Sequence, residues 1–72
     1  MKKTNQNIGQ IILRRPEVEK LTGLSRSTIY AKINEESRYF DPQFPRPIRL
    51  GRGAVGWKSA EVLVWIDSCA RL

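Results

Sequence analysis

Ser25, Arg26, Ser27 and Thr28 set hydroxyls and a guanidinium in consecutive positions. That combination suits a polyanion with hydrogen-bonding edges better than it suits covalent chemistry. An arginine carries a planar fork of donors that matches paired acceptors such as guanine O6 and N7, or two oxygens of one phosphate. Serine and threonine hydroxyls bind phosphate oxygens as readily as base edges. Tyr30 and Lys32 extend the same stretch with a phenol and an ammonium, placed to touch a sugar-phosphate backbone. Downstream, Arg46, Arg49, Arg52 and Lys58 occur with no acid between them. Arg52 stands between Gly51 and Gly53, a tip thin enough for a minor groove, where arginine answers the enhanced negative potential of narrow tracts. Plainer readings stand beside these: Arg26 as a solvated surface charge, and Arg52 as a charge that blocks edge-to-edge strand association.

Catalysis finds little to build on. The chain has no histidine, so the commonest general base and the usual zinc-ligand sets are missing. Cys69 is the single cysteine and has no internal disulfide partner; its spacing from Val62, Trp65 and Ile66 predicts a core position. The acids are scattered apart from Glu35 and Glu36, which read as a solvated pair. Gly51-Arg52-Gly53 lacks the length and the lysine of a phosphate-binding P-loop. The expectation is a protein that is not an enzyme and uses no cofactor or metal. Tyr39, Phe44, Trp57 and Trp65 suggest a stacking platform for single strands. However, Trp65 lies in an apolar helical stripe and Trp57 alternates with Lys58, so core packing is the better reading.

These groups must be carried by a small scaffold. Seventy-two residues support one domain with one core. Thirteen Lys and Arg against seven Asp and Glu give a net charge of +6, with a pI near 10.1, and favour polyanionic partners. No apolar run approaches the ~18 residues of a membrane span, so the expected location is cytoplasmic and nucleoid-associated. Residues 1–10 hold few large apolar side chains and are expected to be a flexible leader, with the domain spanning residues 11–72.

Within that domain, Ile11-Ile12-Leu13 suggests a brief strand or an extended segment. Pro16 suits the first position of a two-turn helix that Gly23 closes in a left-handed conformation, with Val18 and Leu21 sharing a face. Ser25 is placed to cap a second helix over residues 26–34, in which Ile29 and Ile33 share a face opposite a polar, basic exterior. Residues 35–47 break the pattern with Pro42, Pro45 and Pro47, and some of Tyr39, Phe40 and Phe44 should pack back on the domain. Residues 48–50 and 55–58 alternate as a two-stranded hairpin around a glycine-rich turn. Ser59 reads as the cap of a last helix running to about residue 70. The predicted fold class is mainly α with a small β-hairpin wing, a winged helix-turn-helix.

Three segments in order carry a resemblance: Leu24-Ser25-Arg26-Ser27-Thr28-Ile29-Tyr30, then Phe44-Pro45-Arg46-Pro47-Ile48-Arg49-Leu50-Gly51, then Trp57-Lys58-Ser59-Ala60-Glu61-Val62 followed by Trp65-Ile66. Over residues 12–66 the chain resembles the AlpA family of phage and prophage regulators. The resemblance implies a winged-helix-like domain related to the DNA-binding domains of the MerR and excisionase groups. It also implies activation or repression of transcription and a part in prophage excision. It makes residues 25–32 the recognition helix and residues 49–58 the wing. The chain departs from the family in a longer link over residues 34–44 and in a wing reading Gly-Arg-Gly-Ala-Val-Gly in place of Gly-Gly-Arg-Ala-Val-Ala.

The resulting expectation is a sequence-specific binder of double-stranded DNA. Ser25, Arg26, Ser27, Thr28, Tyr30 and Lys32 are assigned to the major groove; Arg46, Arg49, Arg52 and Lys58 lie along the adjacent backbone or minor groove. An integrase or a host regulator is the further partner considered, and the protein acts as a monomer or with weak self-association on DNA. The rival expectation is a small interaction module that inhibits or recruits a host regulator through its loop aromatics.

Overall fold

A computed structural model describes residues 11–72, and the leader expected at residues 1–10 lies outside them. The chain runs β1 (Ile12–Leu13), α1 (Arg15–Thr22), α2 (Arg26–Ile33), β2 (Ile48–Gly51), β3 (Ala54–Lys58) and α3 (Ser59–Ser68). The strands form one antiparallel sheet in the order β1-β3-β2. The hairpin is therefore extended by the short strand ahead of α1, which pairs Ile12 with Lys58 and Leu13 with Trp57.

Local chemistry accounts for the helix boundaries. Arg14 takes the cap position of α1, and its backbone N–H donates to Glu17 Oε1 at 2.8 Å. Pro16 sits in the first turn, where its missing donor leaves no bond unmade. Gly23 ends the helix at φ 76°, a conformation that L side chains resist, and donates its N–H to Glu19 O at 2.8 Å. Two residues later Ser25 caps α2: its Oγ accepts the Thr28 N–H at 3.2 Å. The expected helix-turn-helix is thus present, with residues 23–25 as its turn.

The core lies where the three helices and the long loop meet the sheet. Leu13, Val18, Ile29, Phe44, Trp57 and Val62 are buried, and Leu24, Ile33, Trp65 and Ile66 pack against them. Trp57 is fully enclosed, and its indole N–H donates to Pro45 O at 3.1 Å, so the polar end of the ring is satisfied. Phe44 meets Trp65 edge to face at 4.8 Å. The Trp65 indole N–H donates to Asp41 Oδ2 at 3.1 Å, which pins the long loop 34–47 onto α3.

Four local expectations need correction. Ser59 is the buried first residue of α3, and the cap position belongs to Lys58. The Ser59 N–H, unpaired in a bare helix start, donates to Ile11 O at 2.8 Å, so the neighbouring strand satisfies the helix end. The helix stops at Ser68 rather than near residue 70. Cys69 consequently lies beyond the last turn and is exposed, because the apolar period continues past the point where the core ends. Leu21, expected to share the buried face of Val18, is about half exposed at 46%.

Candidate nucleic-acid interface

The cap of α2 organises the hydroxyl cluster. Ser25 Oγ accepts from the Thr28 backbone and donates to Thr28 Oγ1 at 2.9 Å, while Ser27 Oγ stands 3.4 Å from Ser25 Oγ. The three hydroxyls therefore form one patch at the start of the helix, on exposed backbone that carries partial positive charge. Arg26 projects beside this patch, and its guanidinium lies over the Tyr30 ring at 6.0 Å from the centroid. Such a stack narrows the arginine's rotamers and leaves its donors outward. Arg26 and Tyr30 are both exposed.

The wing approaches the same end of α2. A cleft of about 200 Å³ is lined by Arg14, Arg15, Arg26 and Tyr30 from the helical pair and by Gly53 and Val55 from the hairpin. Gly53 adopts φ 70° at the hairpin tip, directly after Arg52, and a register shift between Arg49 and Gly51 turns the tip. Arg49 pairs with Val55, so both side chains leave the sheet on one face. Since Val55 borders the cleft, Arg49 stands on that face as well. Arg26 and Tyr30 thus meet the hairpin at Gly53 and Val55, with Arg52 adjoining Gly53 at the tip, while Ser27 and Thr28 border a separate hollow with Lys32 and Tyr39.

The remaining expected residues are placed differently. Lys32 Nζ lies 4.0 Å from Asp41 Oδ2 and 5.5 Å from the Trp65 ring centroid, turned toward the long loop. Asp41 is held below the ordinary carboxylate range chiefly by the Gln43 backbone N–H. The Trp65 indole and the Lys32 charge add to that effect, against a partial burial that works the other way. Arg46 pairs with Glu35 at 3.4 Å in an exposed contact. Arg46 and Lys58 both border a different groove, about 640 Å³, between loop 42–48 and α3, where Phe44, Val64 and Trp65 supply apolar walls. Its mixed charges, with Glu61 among them, suit a polyanion less well than the smaller cleft does.

Two residues were missed by sequence reasoning. Arg14 and Arg15 were given no role there, yet the fold carries them to the cleft opposite the wing tip. The available signal was two adjacent cations immediately before Pro16. Arg15 is ion-paired with Glu19, whereas the Arg14 guanidinium has no carboxylate partner among the described residues. Of the loop aromatics, Phe44 is buried in the core and Tyr39 is exposed.

Comparison with known proteins identifies the family. Residues 11–71 match the family described as "Prophage CP4-57 regulatory protein (AlpA)". The chain is 41% identical over 61 residues to the "DNA-binding transcriptional activator AlpA" of Escherichia coli (strain K12), covering 85% of this chain and 87% of that protein. It is 44% identical over 54 residues to "Uncharacterized protein ORF88" of Enterobacteria phage P4, covering 75% of this chain and 54% of that one. No solved structure matches.

Proposed function

Because the chain belongs to the AlpA family of prophage regulatory proteins, we propose that it regulates transcription by binding double-stranded DNA as a winged helix-turn-helix of the MerR and excisionase type. The observation that carries this reading is the convergence of Arg26 at the start of α2 with the wing tip around one basic cleft. In this arrangement α2 enters the major groove by its N-terminal end, where Arg26 meets base edges and Ser25, Ser27 and Thr28 meet phosphates. Tyr30 holds Arg26 in line, and Arg52 reaches the neighbouring minor groove with Arg49 behind it. Arg46 and Lys58 border a different groove and contribute only to long-range attraction, whereas Lys32 lines a hollow with Ser27 and Thr28 beside the start of α2.

The molecule acts as a monomer that associates weakly along DNA, and it serves excision as well as transcription when copies bind side by side. Selection of bound genomic fragments followed by sequencing tests the whole reading. A shared motif is expected. Direct repeats in it support cooperative side-by-side binding and the excision role, whereas an inverted repeat indicates a two-fold dimer. Arg26→Ala should then weaken the selected site by ~1–3 kcal/mol while changing random duplex much less. Failure to retain any duplex, or equal losses on both, would overturn the assignment.

A further inference from the structure

We infer that the cleft between α1 and the wing is a seat for a single backbone phosphate, and that Arg14 is the residue that holds it. The inference rests on the DNA-binding reading above but concerns residues to which that reading gives no role. The lining contains three arginines, a phenol and small or apolar residues, and no acid. Nearby carboxylates are engaged elsewhere. Glu19 is taken by Arg15, and Glu17 accepts the Arg14 backbone N–H and borders a groove on the far side of α1 with Lys20. Arg14 therefore faces the cleft as an uncompensated cation.

Size and placement fit the ligand. A volume near 200 Å³ would hold roughly six waters, enough for a phosphodiester group with its free oxygens. The cleft lies between the two elements that enter adjacent grooves, and a strand of duplex passing from one to the other must carry its phosphates across that gap. Because β1 joins Arg14 directly to the sheet that bears the wing, the seat keeps its width whichever sequence is bound.

The test compares salt dependence of binding to a fluorescent random-sequence duplex for the wild type, Arg14→Ala, Arg14→Lys and a Lys20→Ala control. Loss of one phosphate contact should make the slope of log K against log salt shallower by about 0.9 in Arg14→Ala. Arg14→Lys should keep most of that slope, and Lys20→Ala should keep all of it. Replacing phosphates one at a time with neutral methylphosphonate in a selected site should reveal one position that weakens the wild type and leaves Arg14→Ala unaffected. An Arg14→Ala slope equal to that of the wild type, or additive losses at every methylphosphonate position, overturns the seat while leaving DNA binding intact. A wild type that ignores duplex altogether removes both proposals together.

Discussion

Salt offers the sharpest test of the interface as a whole, because its effect can be worked from the ion pairs that the fold does and does not make. Five arginines stand around the cleft and the wing: Arg14, Arg15, Arg26, Arg49 and Arg52. Arg15 already neutralises Glu19, and the other four have no carboxylate partner among the described residues. On random duplex Arg26 has no preferred base and lies against the backbone like its neighbours. Four contacts at about 0.9 each give an expected slope of log K against log salt of about −3.6, so raising salt from 50 to 200 mM should weaken binding about 150-fold. Fluorescence anisotropy with a labelled duplex across that range measures the slope directly. Lys58→Ala should leave it nearly unchanged, because Lys58 borders the groove on α3, whereas Arg52→Ala should reduce it by about 0.9. A wild-type slope shallower than about −1 would refute the assignment of this end of the molecule to DNA. A full 0.9 lost on removing Lys58 would show that the contact surface wraps around the base of the wing.

Three further expectations concern the scaffold. Ser25→Ala removes the cap of α2 and should cost about 1 kcal/mol, seen as a melting temperature lower by about 4–8 °C; an unchanged melt would show that the Ser25 hydroxyl does not stabilise the helix start. Trp57→Ala should cost ~3–5 kcal/mol, as much as a core of this size provides, so circular dichroism at 25 °C should show an unfolded chain; a cooperative melt near that of the wild type would contradict its enclosure. Asp41 has a lowered folded pKa, so its contribution is complete above the unfolded value of about 4 and is lost as pH falls through it toward the folded value. The gap in melting temperature between wild type and Asp41→Asn should accordingly narrow from pH 6 to pH 3, and a gap that widens on acidification would reverse the assigned sign.

What could be read in advance was what depends on neighbours along the chain. Gly23, Ser25 and Pro16 act on backbone groups within a few residues, so the two helices and their turn followed from residue types and spacing. The glycine-flanked Arg52 marked the hairpin for the same reason. Properties set by distant partners were not legible. Lys32 was placed by its helical position alone, and the Asp41 carboxylate 4.0 Å from its ammonium, brought in by the long loop, could not be foreseen. Lys58 was grouped with Arg52 by proximity in sequence, although strand alternation sends it away from Val55 and the cleft. Arg14 was passed over because only the fold of β1 onto β3 sets it across from the wing. Cys69 continued an apolar period beyond the helix that gave the period meaning.

The pairing of β1 with β3 has a mechanical consequence. The strand that leads into α1 is hydrogen-bonded to the strand that leads out of the wing, and Ser59 locks the start of α3 to the same segment. Helix and finger are thus two jaws of one caliper, joined through backbone hydrogen bonds of the sheet. When such a gauge closes on a flexible rod, the rod must bend or compress, at a cost that depends on its local stiffness. Discrimination would then extend to base steps that no side chain reaches, with pliable steps between the jaws accepted and stiff tracts refused.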